Sequence, residues 1–296
     1  MDQASELRLL VAGKTAADVA SRGGAKVLVV ASGKGGVGKS TVALNLALAL
    51  NRMGRGVVLV DADLGLANLD LMLGITPKLT LWNFIHQGIP LTDIVIKGPE
   101  GLVLLPGGSG FEDMANLSPD GTKRLLEGLE SVIQASDYVV VDTAAGIAHQ
   151  VTSFAAAADE VVAVVAPEST SVMDAYGLIK VTCAHHPGQR FGVVMSMAGD
   201  QGEARRHYEA LSRVSGKYTT AKMRMLGHVP RDEAARRAVN MHVPLLVEFP
   251  RSIAALSFQK IAQNAVAEPA WAASEAAEGA KSRFIGRLWR SLSARN

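Results

Sequence analysis

The 296-residue chain is 48% hydrophobic and carries 30 Lys and Arg against 28 Asp and Glu, for a net charge of +2. That length can bury one substantial core, and the near balance of charge argues against the global basic field of a dedicated nucleic-acid binder. The single cysteine, Cys183, excludes an internal disulfide framework and makes a cysteine-rich iron–sulfur centre implausible.

No run is apolar for the length of a spanning helix, and the first residues lack the basic and apolar blocks of a secretory leader, so a reducing cytoplasm is expected. From position 26 onward, short Val/Leu/Ile/Ala runs bounded by Gly or Asp alternate with longer segments of helical spacing. Strands are expected at 26–31, 56–60, 102–105, 138–141, 160–166, 191–197 and 223–229. Helices are expected to begin near Lys39, Ser118, Ile147, Thr170, Gln201, Asp232 and Arg251, several behind a residue suited to N-capping. This alternation predicts an α/β fold: a doubly wound, mostly parallel sheet with helices on both faces. The expected organisation is a flexible N-terminal segment (1–25), one domain (26–265), an Ala/Glu-rich linker (266–280) and a basic amphipathic helix (281–296).

The first strand runs into Gly33-Lys34-Gly35-Gly36-Val37-Gly38-Lys39-Ser40-Thr41, which then opens a helix. Strand, glycine-rich loop and helix in that order are the context a phosphate-binding loop requires. Glycines let successive backbone N–H groups face inward, and the positive end of the helix dipole adds to that nest, so a polyphosphate is the natural occupant. Lys39 would pair with the β and γ phosphates, Ser40 would ligate Mg²⁺, and Thr41 would reach the α phosphate. Two carboxylates, Asp61 and Asp63, follow the second strand, and Asp142 ends a later apolar run, all at the strand ends where open α/β sheets hold ligands.

Lys34, directly after the first glycine, resembles the signature of the MinD/ParA deviant Walker A ATPases. The resemblance covers about residues 26–265. It implies an ATP/ADP-binding, Mg²⁺-dependent P-loop ATPase of slow turnover that forms a homodimer with ATP, Lys34 reaching across to the partner's phosphates. It also implies that Asp61 and Asp142 support the metal with Ser40, and that Asp63 orients the attacking water. Lys34, Lys39 and Asp63 would then be the catalytic set. For the base, Ser196 aligns where relatives have an Asn, which weakens the direct case for adenine, and the loop holding Pro230 and Asp232 resembles a second base-contacting segment.

The wording of Asp61-Ala62-Asp63-Leu64-Gly65-Leu66-Ala67-Asn68, of Asp142-Thr143-Ala144-Ala145-Gly146-Ile147 and of Pro167-Glu168-Ser169 is similar to the flagellar number regulators FlhG (FleN). Asp2, Gln3, Ala4, Leu7 and Arg8 resemble the element through which those proteins engage the GTPase FlhF. A transcription activator or flagellar switch component is a further partner the resemblance implies. At the other end, Phe284, Ile285, Leu288, Trp289 and Leu292 share one arc of a helix with arginines opposite, the composition of an interfacial helix for an anionic membrane surface. The alternatives for that segment are a helix docked on its own domain or a disordered basic tail. A peripheral, reversible association with the inner face of the cell membrane would follow from the first reading. Rival functions are a ParA-like DNA or cargo-partitioning ATPase using Arg205, Arg206, Arg236 and Arg237, and a MinD-like division-site ATPase.

Overall fold

The structure, a computed structural model, describes residues 6, 7, 11, 25–63, 69–108, 118–268 and 283–293. Its strands are β1 (Lys26–Ser32), β2 (Val57–Ala62), β3 (Ile96–Lys97), β4 (Val103–Leu105), β5 (Tyr138–Ala145), β6 (Glu160–Val165), β7 (Arg190–Ala198) and β8 (Lys222–Pro230). Its helices are α1 (Lys39–Arg52), α2 (Leu69–Met72), α3 (Leu81–Gln87), α4 (Leu91–Ile94), α5 (Pro119–Ala135), α6 (His149–Ala157), α7 (Ser169–His185), α8 (Gln201–Tyr218), α9 (Glu233–Asn240), α10 (Leu245–Glu248), α11 (Ile253–Val266) and α12 (Arg283–Ser293).

The strands form one sheet in the order β3-β4-β2-β5-β1-β6-β7-β8. Every pairing is parallel except the short β3–β4 edge. Alternation along β1 explains the two cores. Val27, Val29 and Ala31 enter one apolar cluster with residues of α5, α6 and α7. Leu28 and Val30 enter the other with α1 and α11. Both faces of the central strands are therefore covered, as their unbroken β-branched runs require. Helix starts are built locally: Ser118, Asp200, Asp232 and Ser252 each accept a backbone N–H from the first turn of the helix that follows.

The seven expected strands are all present, and the expected helix starts lie within two residues of those observed. The edge strand β3 and the short helices α2, α3, α4 and α10 went unread. Each is too short for periodicity to register.

Two expectations about the ends are corrected. Glu6, Leu7 and Val11 are helical, and Leu7 and Val11 are buried in the same cluster as α5 and α6, so these residues are not a free segment. Asp2, Gln3, Ala4 and Arg8 lie outside the described residues. At the other end, α12 is not an appendage. Phe284 and Leu288 are buried, Ile285 and Leu292 partly so, and of the five residues assigned to a lipid face only Trp289 is exposed. Phe284 meets Phe154 of α6 with ring centroids 6.5 Å apart. Arg287, one of the arginines read as lying opposite the apolar arc, donates to the Ala157 carbonyl at 2.8 Å and to Asp159 at 2.9 Å. An amphipathic arc reads alike whether protein or lipid covers it, and here the domain covers it.

One buried charge cluster ties β1, β6 and β8 to α11. Glu160, 2% exposed, accepts two hydrogen bonds from the Arg224 guanidinium at 2.7 and 2.6 Å, and the Lys26 ammonium stands 3.0 Å away. Arg224 also donates to the carbonyls of Asn264 and Ala267. Burial pushes the Glu160 carboxyl up, but the Arg224 hydrogen bonds and Lys26 outweigh it and leave the pKa below the ordinary value of 4.5. The stability this contributes is thus present above pH 4.5 and lost as the pH falls through the depressed value. Arg224→Met should cost about 3–5 kcal/mol in urea unfolding at pH 7. The gap from wild type should narrow at pH 3.

Candidate nucleotide site

β1 ends at Ser32 in the middle of the sheet, and the loop that follows folds back over the ends of β1 and β5 to start α1. Gly36 and Gly38 take the left-handed conformation with φ of 78° and 85°, which turns the intervening backbone inward. The N-terminus of α1 has no side-chain cap and no acidic residue in its first turn, so its amides remain available to an anion. Gly33 serves a different purpose. A Cβ there would stand 2.2 Å from the Asp174 carbonyl oxygen, so only glycine lets the loop lie directly on the backbone of α7. The loop is pinned further by the Ser32 hydroxyl, which donates to the Lys34 carbonyl at 3.0 Å, and by the Gly146 amide, which donates to the Ser32 carbonyl at 2.8 Å.

The charges converge beneath this loop. Lys39 Nζ donates to Asp142 Oδ1 at 2.7 Å and stands 3.7 Å from Asp63 Oδ2 and 3.4 Å from Ser40 Oγ. Asp61 sits on β2 directly opposite Asp142 of β5 and accepts the Asp63 amide at 3.1 Å. Burial, and then the neighbouring Asp142 charge, push the Asp61 carboxyl up to about 7. Burial also raises Asp142, against the pull of Lys39. Asp142 Oδ2 is buried with no hydrogen-bond partner. A hard divalent cation is what this donor set fits: buried carboxylates facing each other, an orphaned carboxylate oxygen and a nearby hydroxyl, at the end of an anion nest.

Two cavities meet at Gly38 and Thr41. One, of about 640 Å³, is walled by Gly35, Gly36, Lys39, Ser40 and Asp63, with Leu71, Met72 and His242 across from them. The other, of about 510 Å³, is walled by Ser196, Met197, Pro230, Asp232 and Phe258. Both sit at the carboxyl ends of the strands, where open parallel sheets bind ligands. The first suits phosphates, and the second, which is mostly apolar with a few polar groups, suits a base.

The expected residues distribute between roles. Val37 is buried and supports the loop through packing. Asp232 lines the base-side cavity, yet its carboxylate already accepts the amides of Ala234 at 2.8 Å and Ala254 at 3.0 Å, joining α9 to α11. Ser196 is buried, and its hydroxyl lies 3.2 Å from where a Cβ on Gly38 would stand. Lys34 does not line the phosphate cavity; its ammonium lies 3.4 Å from Glu168, and both side chains are about half exposed. Leu64 to Asn68, part of the motif after Asp63, lie outside the described residues.

A family model described as ParA, a NUBPL iron-transfer P-loop NTPase, matches residues 24–266. The chain belongs to the ParA/MinD family of P-loop NTPases. It is 43% identical over 239 residues, 81% of this chain and 85% of the relative, to the antiactivator FleN of Pseudomonas aeruginosa. It is 31% identical to the flagellum site-determining protein YlxH of Helicobacter pylori, over 92% of each chain. Among solved structures it is similar to the cell division ATPase MinD of Pyrococcus furiosus, with a TM-score of 0.68 and 26% identity over 81% of this chain and 98% of that one. The MinD of Pyrococcus horikoshii, solved with Mg-ADP, gives the same TM-score and identity over 86% and 100%. Family membership makes this a nucleotide-binding P-loop protein.

Sequence reasoning missed several residues in and around the site. Gly107 packs so closely on Asp61 that a Cβ would meet the Asp61 carbonyl at 2.3 Å. The Gly107-Gly108 pair after a strand was the available signal. His242 reaches the phosphate cavity from far along the chain, with no local pattern to announce it. Glu168 stood inside a quoted motif, but its ion pair with Lys34 depends on the fold. Because Gly33 has no room for a methyl group, Gly33→Ala should lift the loop from α7. Equilibrium binding of a fluorescent ATP analogue should weaken at least tenfold, while the circular dichroism spectrum stays unchanged.

Proposed function

We propose that this chain is an ATP-driven switch regulating flagellar number or placement, and the observation that carries the reading is the convergence of Lys39, Asp63 and Asp142 under an anion nest in a chain 43% identical to FleN. ATP occupies the two cavities, with its phosphates on the Gly35–Thr41 loop and its base between Ser196 and Pro230. Ser40, Asp61 and Asp142 are the residues that would hold Mg²⁺. When bound, that ion neutralises charge on the phosphate oxygens.

Lys39 exchanges Asp142 for the β and γ phosphates and stabilises charge on the transferring group. Asp63, partly exposed at the cavity wall, orients the attacking water. Lys34 leaves Glu168 and contacts the phosphates bound to a second copy of the chain, so hydrolysis awaits dimer assembly. Without that partner turnover is slow, and hydrolysis resets the switch. The GTPase FlhF, through the N-terminal residues, and a transcription activator or flagellar switch component are the partners this reading assigns.

Membrane association, in this reading, needs α12 to leave the domain. Docked, it offers lipid only Trp289 among its large apolar residues. The released helix would bring Phe284, Ile285, Leu288 and Leu292 to an anionic surface, and two copies in a dimer would hold it more firmly than one. The DNA-partitioning alternative finds less support. Arg205 pairs with Glu209, Arg236 with Glu233, and Arg237 lies over the Phe249 ring, so three of the four arginines assigned to phosphate contacts have partners within the domain.

Asp63→Ala should bind ATP within a few-fold of wild type and elute as a dimer in size-exclusion chromatography with ATP. Its phosphate release should fall by a factor of a hundred or more, on the order expected for loss of a water-orienting group. Wild-type turnover in that variant would overturn the role given to Asp63. In a separate sedimentation assay with anionic vesicles and ATP, full-length protein should pellet and a chain ending at residue 279 should stay in solution; equal pelleting would rule out α12 as the anchor.

A further inference from the structure

Away from the nucleotide, a cavity of about 360 Å³ lies where α12 meets the ends of α6 and α7. Its walls are Ala156, His185, His186, Arg287, Arg290 and Ser291. Two arginines, two histidines and a hydroxyl thus face one small space, and none of the wall residues is a carboxylate. Among the described residues the one acidic group bonded to any of them is Asp159, which takes one arm of the Arg287 guanidinium at 2.9 Å. Among the described residues Arg290 makes one hydrogen bond, from Nε to the Gly286 carbonyl of its own helix at 3.2 Å, and its terminal nitrogens take no part in it.

His186 adds a second, independent observation. Its ring lines the cavity, and its Nδ1 is buried without a hydrogen-bond partner, the mark of a polar group whose complement is not a protein atom. Burial, then the fields of Arg287 and Arg290, hold the His186 pKa below its ordinary value. The charges of Arg287 and Arg290 thus reach the ring, although Asp159 answers part of the Arg287 charge.

We propose that this cavity is a binding site for a phosphate-bearing anion, held by Arg290, Arg287, His185 and His186, which clamps α12 onto the domain. The volume admits a phosphate group with several waters. Guanidinium and imidazole N–H groups supply the charge-assisted, multi-donor geometry that such an anion takes, while the Ser291 hydroxyl is already engaged, donating to the Ser153 hydroxyl at 3.0 Å. The walls come from separate parts of the chain: His185 and His186 from the end of α7, Ala156 from α6, and the rest from α12. An occupant must bridge them, so binding is worth more in the docked arrangement than with α12 released, and by linkage it favours docking. The same group occurs free in solution and on a phosphomonoester lipid headgroup, and the shared chemistry is what the walls recognise.

The test uses full-length protein saturated with Mg-ADP, so that the phosphate loop is filled and cannot answer for the probe. Inorganic phosphate is titrated against chloride at matched ionic strength, and hydrogen–deuterium exchange is followed in the peptide covering 283–293. A parallel titration uses dihexanoyl phosphatidic acid below its micelle concentration, which carries the phosphomonoester headgroup without offering a membrane. The expected result is slower exchange of that peptide, by roughly fivefold or more, in at least one titration. Arg290→Gln, whose side chain is exposed and, among the described residues, bonded only within its own helix, should shift the midpoint about tenfold upward, and His186→Gln should act in the same direction. Protection by phosphate assigns a soluble ligand; protection by the short-chain lipid alone assigns a headgroup. No protection in either titration, or equal midpoints in wild type and both variants, would overturn the site.

Discussion

The ion pair of Lys39 with Asp142 is the constraint on which the rest of the site depends. Both groups are buried, so neither charge can be carried alone without a large desolvation penalty, and each fixes the position of the other. Asp142 is held at the end of β5, one strand from β1 and paired in register with Val30. Lys39 opens α1, so the pair ties the loop to the sheet at its midpoint. A third charge makes the arrangement one-sided. Asp61 lies opposite Asp142 on β2, while the lysine pairs with Asp142 and Asp63, and burial and then the Asp142 charge drive Asp61 up to about 7. Three carboxylates, Asp61, Asp63 and Asp142, thus stand around one buried lysine, and the upward shift of Asp61 is the response to that buried crowding.

Much of this was legible in the chain. Strands that run apolar on both faces, a glycine loop between strand and helix, and aspartates at strand ends each carry their own local pattern, and the sheet placed them together. Other features failed to register because they are created by proximity across the fold. Gly33 looks like one more loop glycine until Asp174 of α7 is seen beneath it. Lys34 looks like a solvated cation or a reaching arm, and its rest on Glu168 depends on α7 starting beside the loop.

The C-terminal helix shows the limit most clearly. Its arc of Phe284, Ile285, Leu288, Trp289 and Leu292 was read as one face, and the structure covers all of these in whole or part except Trp289. What covers that face is decided by Phe154 and by Asp159, which meets Arg287, and neither is visible from the helix itself. The arginine read as lying opposite that arc fastens the helix to the end of α6.

That fastening gives the two ends of the molecule a common address. Leu7, Val11, Phe284 and Leu288 all belong to the apolar cluster on the α5–α6 side of the sheet, opposite the face covered by α1 and α11. α6 is also the element that follows Asp142 along the chain, through Gly146, which takes φ of 101° and has open space where a Cβ would stand. The segment after Asp142 is held to the first strand by the Gly146 amide, which donates to the Ser32 carbonyl at 2.8 Å, and it then leads into α6, on which α12 rests. One short stretch of backbone therefore joins the nucleotide site to the docked helix.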